Sequence, residues 1–398
     1  MLNLLLFPLL LVQGPQDSLS LDAALARAEA RRGQPRAAAA AVAAARAGVR
    51  VAGTIPNPLG SYSYTEDLPR QHVSLEQSLD WLLTRGADRA AARSGMRRAE
   101  ADSAQAAADL AAEVRTAFYG VIAARELERL TREQRLLADS LAILGRERLA
   151  RGDIAELERD QLVLEATRAA QRESRAREAA GVAWARLARS IGWDTGAPAP
   201  RLVGALDDGL ADAPSARPMD GDLSALPRLA AVVADSAAAT ERAHRAARAQ
   251  VPLPSVLLGA DWDDPGNQDR FLAVLGISLP LPIWHHGSGT SEVAKSEALQ
   301  AGASLTEARL ETARLLTETD TRLRESRGRA VAARDSLLPV ARRIRSRATV
   351  AYRLGETGLV PLLEALRAER DVTAEAVDDL LAYQEARAGW QQALGNAQ

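Results

Sequence analysis

The sequence predicts a mainly α-helical protein with a small β part, and three observations predict that class. Of its 398 residues, 47% are hydrophobic and only 4% are aromatic, which suits long helices packed along narrow seams better than a thick core. Apolar residues recur at helical spacing along most of the chain. Two stretches, about 57–82 and about 253–283, instead alternate apolar and polar residues between prolines and glycines, which is typical of antiparallel hairpins.

Composition and motifs exclude several classes of function. The net charge of −2 leaves no electrostatic footprint for nucleic acid. The chain has no cysteine, so disulfides, zinc-thiolate sites and cysteine nucleophiles are excluded. It contains no GxxxxGK[ST], GxSxG or HExxH motif. We therefore predict no catalytic centre, no cofactor and no metal site, the adjacent pair His285 and His286 included.

The first residues are predicted to be an export signal. Leu2 to Val12 is a mainly apolar run with the length of a signal-peptide core, and it is too short to span a bilayer. We predict a signal peptide over 1–17. No later stretch reaches 18 apolar residues, so no transmembrane helix is predicted.

The remaining chain is predicted to be an internal duplication. Ile55-Pro-Asn-Pro precedes the first hairpin and Val251-Pro-Leu-Pro the second, and 251 − 55 places them 196 residues apart. Similar helical patterns surround both hairpins. We predict a first repeat over 18–193 and a second over 222–398. The stretch 194–221 is rich in Pro, Gly and Asp and is predicted to link them.

Four helices are predicted in the first repeat. Two lie before the hairpin, from Leu21 to about Arg32 and from about Arg36 to Ala52. A long helix, about 85–150, keeps apolar residues at alternating spacings of four and three, as in a coiled-coil seam. A turn at Gly152 leads to a helix over about 153–190.

The second repeat follows the same order. A helix from about Leu223 to Gln250 precedes the hairpin. A long helix, about 291–354, follows it, with Pro339 as a predicted kink. The turn Gly355–Gly358 leads to a last helix over about 359–394.

The hairpins are predicted to lie in an outer membrane. Tilted strands of about ten residues cross the apolar band of that membrane, and a soluble sheet with one buried face is the alternative. An open sheet edge in lipid leaves backbone groups unpaired, so several chains must share one barrel, and three chains would give about twelve strands. The aromatic residues predicted to form interfacial girdles are Tyr62, Tyr64, Trp81, Trp262, Phe271 and Trp284.

Several motifs, taken in order, resemble the TolC family of outer-membrane efflux channels. They are LSLDAALARA, IPNP, VSLEQSLDWLLTRGADRA, GISLPLPIWHHG and YRLGETGLVPLLEAL. The stretch LEQSLDW with RGADRAAAR is most similar to the cobalt-zinc-cadmium (CzcC-like) branch. Members of that branch usually have Pro and Gly after the Trp, where this chain has Leu82-Leu83-Thr84.

This resemblance implies a homotrimer whose hairpins form one twelve-stranded outer-membrane β-barrel. Its long antiparallel coiled-coil helices would form a periplasmic α-barrel. The function implied is a passive exit duct for small molecules or metal ions, surrounded by outer-membrane lipid and not an enzyme. An inner-membrane efflux pump would drive it through a periplasmic adaptor. The alternative is a periplasmic coiled-coil adaptor or scaffold without a membrane barrel.

The resemblance also implies that the two helix reversals, Arg148–Glu158 and Tyr352–Glu364, together form the periplasmic tip. An adaptor would dock there and acidic rings would narrow the entrance, and Glu364 matches an acidic position of that entrance. Arg148 and Arg353 are candidates to hold the tip closed by salt bridges, whereas Asp153 and Glu356 could instead simply cap the next helix. The predicted tip residues are Arg148, Arg151, Gly152, Asp153, Glu158, Arg353, Gly355, Glu356 and Glu364.

Overall fold

The computed structural model describes residues 18–194, 196–212, 223–262, 272–284 and 286–397. The predicted signal peptide, Phe271, His285 and part of the predicted linker lie outside these residues. The chain forms two compact units, one from the described parts of 1–33, 107–217 and 315–398, the other from those of 34–106 and 218–314. Each unit takes segments from both halves of the chain, and the duplication stays a prediction.

Helices make up most of the described chain, which confirms the predicted class. They are α1 (Leu21–Arg31), α2 (Gly33–Ala52), α3 (Trp81–Arg151), α4 (Glu156–Ser190), α5 (Pro227–Arg248), α6 (Ser288–Ala332), α7 (Leu338–Leu354) and α8 (Leu359–Ala393). Helix α1 begins where predicted because the Ser20 hydroxyl accepts the N–H of Ala23 at 3.2 Å. None of the helices described is long and apolar enough to cross a bilayer.

One π-helical turn, Ala333–Leu337, separates α6 from α7. Its signature is the bond from the Leu338 N–H to the carbonyl of Ala333, five residues back. Pro339 follows directly and has no N–H to offer to the carbonyl of Asp335. The irregularity predicted at Pro339 is therefore a widened turn just before it.

The two hairpins pair side by side into one antiparallel sheet of four strands, in the order β2-β3-β5-β6. The strands are β2 (Leu59–Tyr64), β3 (Gln71–Ser78), β5 (Ser255–Trp262) and β6 (Leu272–Ser278). They are shorter than the predicted ten residues. Strand β3 stops because Asp80 begins the first turn of α3, where its carbonyl accepts the N–H of Leu83 at 3.2 Å. Pro280, without an N–H, lies just beyond the end of β6.

The register of this sheet separates an apolar face from a more polar one. The apolar side chains on one face are Tyr62, Tyr64, Val73, Leu75, Val256, Leu258, Ala260, Trp262, Ala273, Leu275 and Ile277. Within the chain this face is not covered, since Leu275 and Ile277 are each 76% exposed. The other face has the hydrogen-bonded pairs Ser61–Ser74 at 2.7 Å and His72–Asp261 at 2.9 Å. An exposed apolar face of this kind indicates a membrane or protein contact.

The described part of the predicted linker is ordered against helix α8. Strand β4 (Arg201–Val203) pairs in parallel with β1 (Ser18–Ser20). Beyond it, Leu206 and Leu210 are buried. The Gln384 side-chain amide donates to the carbonyls of Leu206 and Asp208, both at 2.8 Å. This segment is therefore packed against α8 and hydrogen-bonded to it.

Candidate functional site

Both helix reversals of the tip end in the same backbone motif. Gly152 and Gly355 have φ angles of 79° and 77°, the left-handed conformation that favours glycine. In the first reversal the Asp153 N–H donates to the carbonyl of Arg148 at 2.9 Å, and in the second the Glu356 N–H donates to that of Ala351 at 2.9 Å. These bonds span five residues and complete a Schellman motif. The two glycines thus end their helices with a left-handed turn, as predicted.

Asp153 and Glu356, the acidic residues after these glycines, do not cap the next helix. The alternative that predicted capping for them is therefore wrong. Helix α4 has Ala155 at its N-cap and α8 has Gly358, and neither makes a side-chain capping bond. Asp153 instead lies 3.7 Å from the Arg151 guanidinium, with both side chains more than half exposed. An ion pair of this kind contributes about 0–1 kcal/mol.

Arg148 joins the first reversal to the second. Its Nη2 donates to the carbonyls of Tyr352 and Arg353, each at 3.1 Å. Its guanidinium carbon lies 4.9 Å from the centre of the Tyr352 ring, a cation–π arrangement. A cation at this place complements the negative end of helix α7. Among the residues that the structure describes, its hydrogen-bond partners are thus carbonyl oxygens rather than the carboxylates of a salt bridge.

Tyr352 is the centre of the tip, although it is not among the predicted tip residues. Its side chain is 1% exposed, and its hydroxyl donates to Oε1 of Glu158 at 3.0 Å. Burial, followed by the hydrogen bond and charge of Glu158, raises the pKa of Tyr352 to about 12. A phenol is protonated at neutral pH even at its ordinary pKa, so the raised pKa extends this hydrogen bond between the two reversals to higher pH. A large aromatic residue one turn before a helix-ending glycine was the available signal.

An apolar cluster supports these polar contacts. It consists of Leu141, Leu162, Tyr352, Leu359 and Leu362, all at most 5% exposed. Helix α3 approaches α4 closely here, since a Cβ built on Gly145 would lie 2.6 Å from Cδ1 of Leu162. Side chains from α3, α4, α7 and α8 therefore pack as one small core behind the reversals.

The remaining predicted tip residues point to solvent. Arg353, Glu356 and Glu364 are exposed. Among the residues that the structure describes, none of them has an ion-pair partner. Their charges are thus available to whatever lies next to the tip.

Several known proteins match this chain over most of its length. It is 26% identical over 358 residues to the cobalt-zinc-cadmium resistance protein CzcC of Cupriavidus metallidurans, covering 88% of this chain and 83% of that protein. The structure of CusC matches with a TM-score of 0.78 at 15% identity, over 94% of this chain and 92% of CusC. The outer-membrane protein VceC of Vibrio cholerae matches with 0.77 at 15%, over 94% and 96%.

The chain has the fold of a TolC-family outer-membrane channel. The resemblance predicted from the ordered motifs is thereby confirmed. No family model matches the sequence, which is consistent with motifs that are individually weak. In this TolC-fold chain the function of the tip residues stays a prediction.

The predicted girdle residues that the structure describes in this TolC-fold chain lie in three places. Tyr62, Tyr64 and Trp262 lie on the apolar face of the sheet, with the two tyrosines 63% and 59% exposed. Trp284 lies beyond β6 and is 91% exposed. Trp81 is instead the first residue of α3, half-buried, with the Arg85 guanidinium 5.8 Å from its ring centre. A girdle made by these residues remains a prediction.

Proposed function

We propose that the chain is the outer-membrane channel of a tripartite efflux system, a passive exit duct rather than an enzyme. The observation that carries the proposal is the four-stranded sheet, which has an exposed apolar face and, at β2 and β6, two edges without a partner strand in the described chain. In water such a face and such edges invite aggregation. In a membrane, lipid covers the apolar face. Three copies joined edge to edge form a closed barrel, which has no free edge.

The orientation of the barrel follows from the two faces of the sheet. Leu75, Leu258 and Leu275 lie side by side in the register and turn to lipid. The opposite face, with His72, Ser74 and Asp261, lines the aqueous lumen. Outward apolar and inward polar side chains are the arrangement of outer-membrane barrels.

The tip is the periplasmic entrance and the docking place for partners. An inner-membrane pump supplies energy and selects cargo, and a periplasmic adaptor contacts the exposed reversal residues. Arg353 and Glu356 suit contacts between chains or with an adaptor, because neither side chain forms an ion pair or a hydrogen bond with the residues that the structure describes. The name of the CzcC relative, a cobalt-zinc-cadmium resistance protein, favours divalent metal ions as cargo. Drugs and other small molecules are the second candidate class.

Fractionation and mass measurement test this function. We expect the chain in the outer-membrane fraction, soluble only in detergent, with the mass of three chains, and forming ion-conducting pores in a planar bilayer. Hydrolysis of ATP is not expected, because the sequence has no phosphate-binding loop. Recovery of folded, monomeric protein from the soluble periplasmic fraction would favour the adaptor or scaffold instead.

The exposed carboxylate of Glu364 tests the position of the entrance. In a trimer it is present three times around a narrow mouth, where low-dielectric walls focus the field of the carboxylates. Glu364→Gln is expected to lower the cation preference of the pore severalfold without changing the amount of trimer, because a solvated charge contributes little to folding. Reversal potentials in asymmetric KCl measure the preference.

Glu375→Gln is the matched control for that measurement. Glu375 is exposed on the same helix, and 11 residues at 100° per residue place it on nearly the same face as Glu364. It lies further from the reversal, so its substitution is expected to change selectivity much less. Equal effects of the two substitutions on selectivity would contradict the assignment of the entrance to the tip.

A further inference from the structure

A cavity lies where the sheet meets the helices that follow and precede it. The register places Ser78 opposite Ser255, and Ser255 opposite Ser278, so three strand ends share one end of the sheet. These strands connect within about ten residues to α3, α5 and α6. The cavity between them has a volume of about 440 Å³. It is lined only by residues of the unit that contains the sheet.

Part of the lining of this cavity is cationic. Arg245 and Arg248, in the last turn of α5, both line it. Arg245 is partly neutralised by Asp88, at 3.2 Å. Arg248 has neither an ion pair nor a side-chain hydrogen bond with any residue that the structure describes. A guanidinium with five N–H donors and no acceptor is suited to a phosphate, which it can bind through two parallel hydrogen bonds.

Another part of the lining is apolar. Leu83, Val251, Pro252 and Leu281 line it. The segment that continues from it is exposed, with Leu281 at 69%, Ile283 at 61% and Trp284 at 91%. An exposed tryptophan beside aliphatic residues is typical of the depth at which membrane headgroups lie. The cavity lining therefore combines a guanidinium group, which can bind a phosphate, with apolar side chains, which can contact hydrocarbon.

Asp80 adds a third feature. Asp80 lines the same cavity, and its carboxylate accepts the Ser78 hydroxyl at 3.1 Å. For a simple anion such as free phosphate this carboxylate is unfavourable, because like charges repel. For a headgroup with both a phosphate and an ammonium it is complementary, because the ammonium can lie against Asp80 while the phosphate binds the guanidinium groups.

We propose that this cavity binds the zwitterionic headgroup of a membrane glycerophospholipid, with Arg248 on its phosphate and Asp80 on its ammonium. The acyl chains then follow the apolar segment toward the exposed face of the sheet. The inference rests on the proposed function, because it requires the sheet to lie in a membrane. It gives the junction between sheet and helices a lipid that fixes the depth of each chain.

The test is retention of phosphatidylethanolamine by the purified full-length protein. The protein is extracted in detergent, supplied with defined phosphatidylethanolamine and examined by native mass spectrometry. Wild type is expected to retain the lipid. Arg248→Ala is expected to weaken retention roughly 10- to 100-fold, since a charge-assisted hydrogen bond is lost. Arg248→Lys keeps the charge but loses the paired donors, and an intermediate loss is expected.

Arg50→Ala is the matched control. Arg50 is also an exposed arginine in the last turn of the helix before a hairpin, but it does not line this cavity. Equal retention by Arg248→Ala and Arg50→Ala would overturn the proposal, as would displacement of the lipid by millimolar inorganic phosphate. A detergent-soluble trimer that retains no lipid contradicts only this inference, whereas a water-soluble monomer contradicts the proposed function itself.

Discussion

Leu275→Arg is expected to prevent assembly of the chain in the outer membrane. Leu275 is the central residue of β6, lies on the apolar face of the sheet and is 76% exposed. An arginine facing lipid at mid-depth costs about 2–4 kcal/mol. Three copies in one barrel bring the total to roughly 6–12 kcal/mol if their effects add. Heat-resistant trimer in the outer-membrane fraction, measured on gels, is expected to fall below detection.

Val274→Arg is the control for that substitution. Val274 is the neighbouring residue of the same strand, and its side chain lies on the opposite, more polar face across from Gly259. A side chain there extends into the lumen, where water solvates its charge, so trimers are expected in nearly normal amounts. Their cation preference is expected to fall, because three positive charges then lie in the pore. Equal loss of trimer in both variants would contradict the assignment of the two faces.

Arg148→Ala is expected to loosen the tip. The substitution removes both hydrogen bonds to the last carbonyls of α7 and the contact with the Tyr352 ring. Hydrogen bonds from a charged group contribute about 1.5–3 kcal/mol, so local opening of the second reversal is expected to become roughly 10- to 100-fold more frequent. Hydrogen exchange of the Gly355 and Glu356 amides measures this opening, and a larger single-channel conductance is expected to accompany it.

Arg151→Ala serves as the comparison. Arg151 lies in the same reversal and is 63% exposed, and its only ion pair among the described residues is the one with Asp153. Its removal is expected to change local stability by less than about 1 kcal/mol. Wild-type exchange rates in Arg148→Ala, or equally raised rates in Arg151→Ala, would show that the carbonyl contacts of Arg148 do not hold the tip.

Local patterns in the sequence were enough to predict the helices, both hairpins and the faces of their strands. Alternation within β5 fixes which side Leu258 takes, and glycine at Gly152 and Gly355 fixes where two helices end. The pairing of β3 with β5 was not predicted. It joins residues that are 177 (255 − 78) to 191 (262 − 71) positions apart, and no short-range pattern encodes such a register.

The contacts of the tip were also beyond prediction. Charge patterning indicates carboxylate partners for an arginine, but Arg148 binds the carbonyls of Tyr352 and Arg353. Every residue has a carbonyl oxygen, so the sequence does not distinguish which one is left without a helical partner beside a given side chain. Burial of Tyr352 likewise depends on four helices meeting, and the seam spacing of each helix alone does not reveal it.

The two unpaired edges of the sheet have a genetic consequence. In the proposed trimer, β2 of each chain pairs with β6 of the next around a closed ring, so every chain contributes two different edges. A chain with one spoiled edge still offers its other edge to a normal neighbour. Where normal and defective chains are made in equal amounts and mix freely, only roughly one ring in eight contains three normal chains. For the proposed trimer, an allele that disrupts one edge is therefore expected to be dominant over the normal gene, and a deletion of the gene is expected to be recessive.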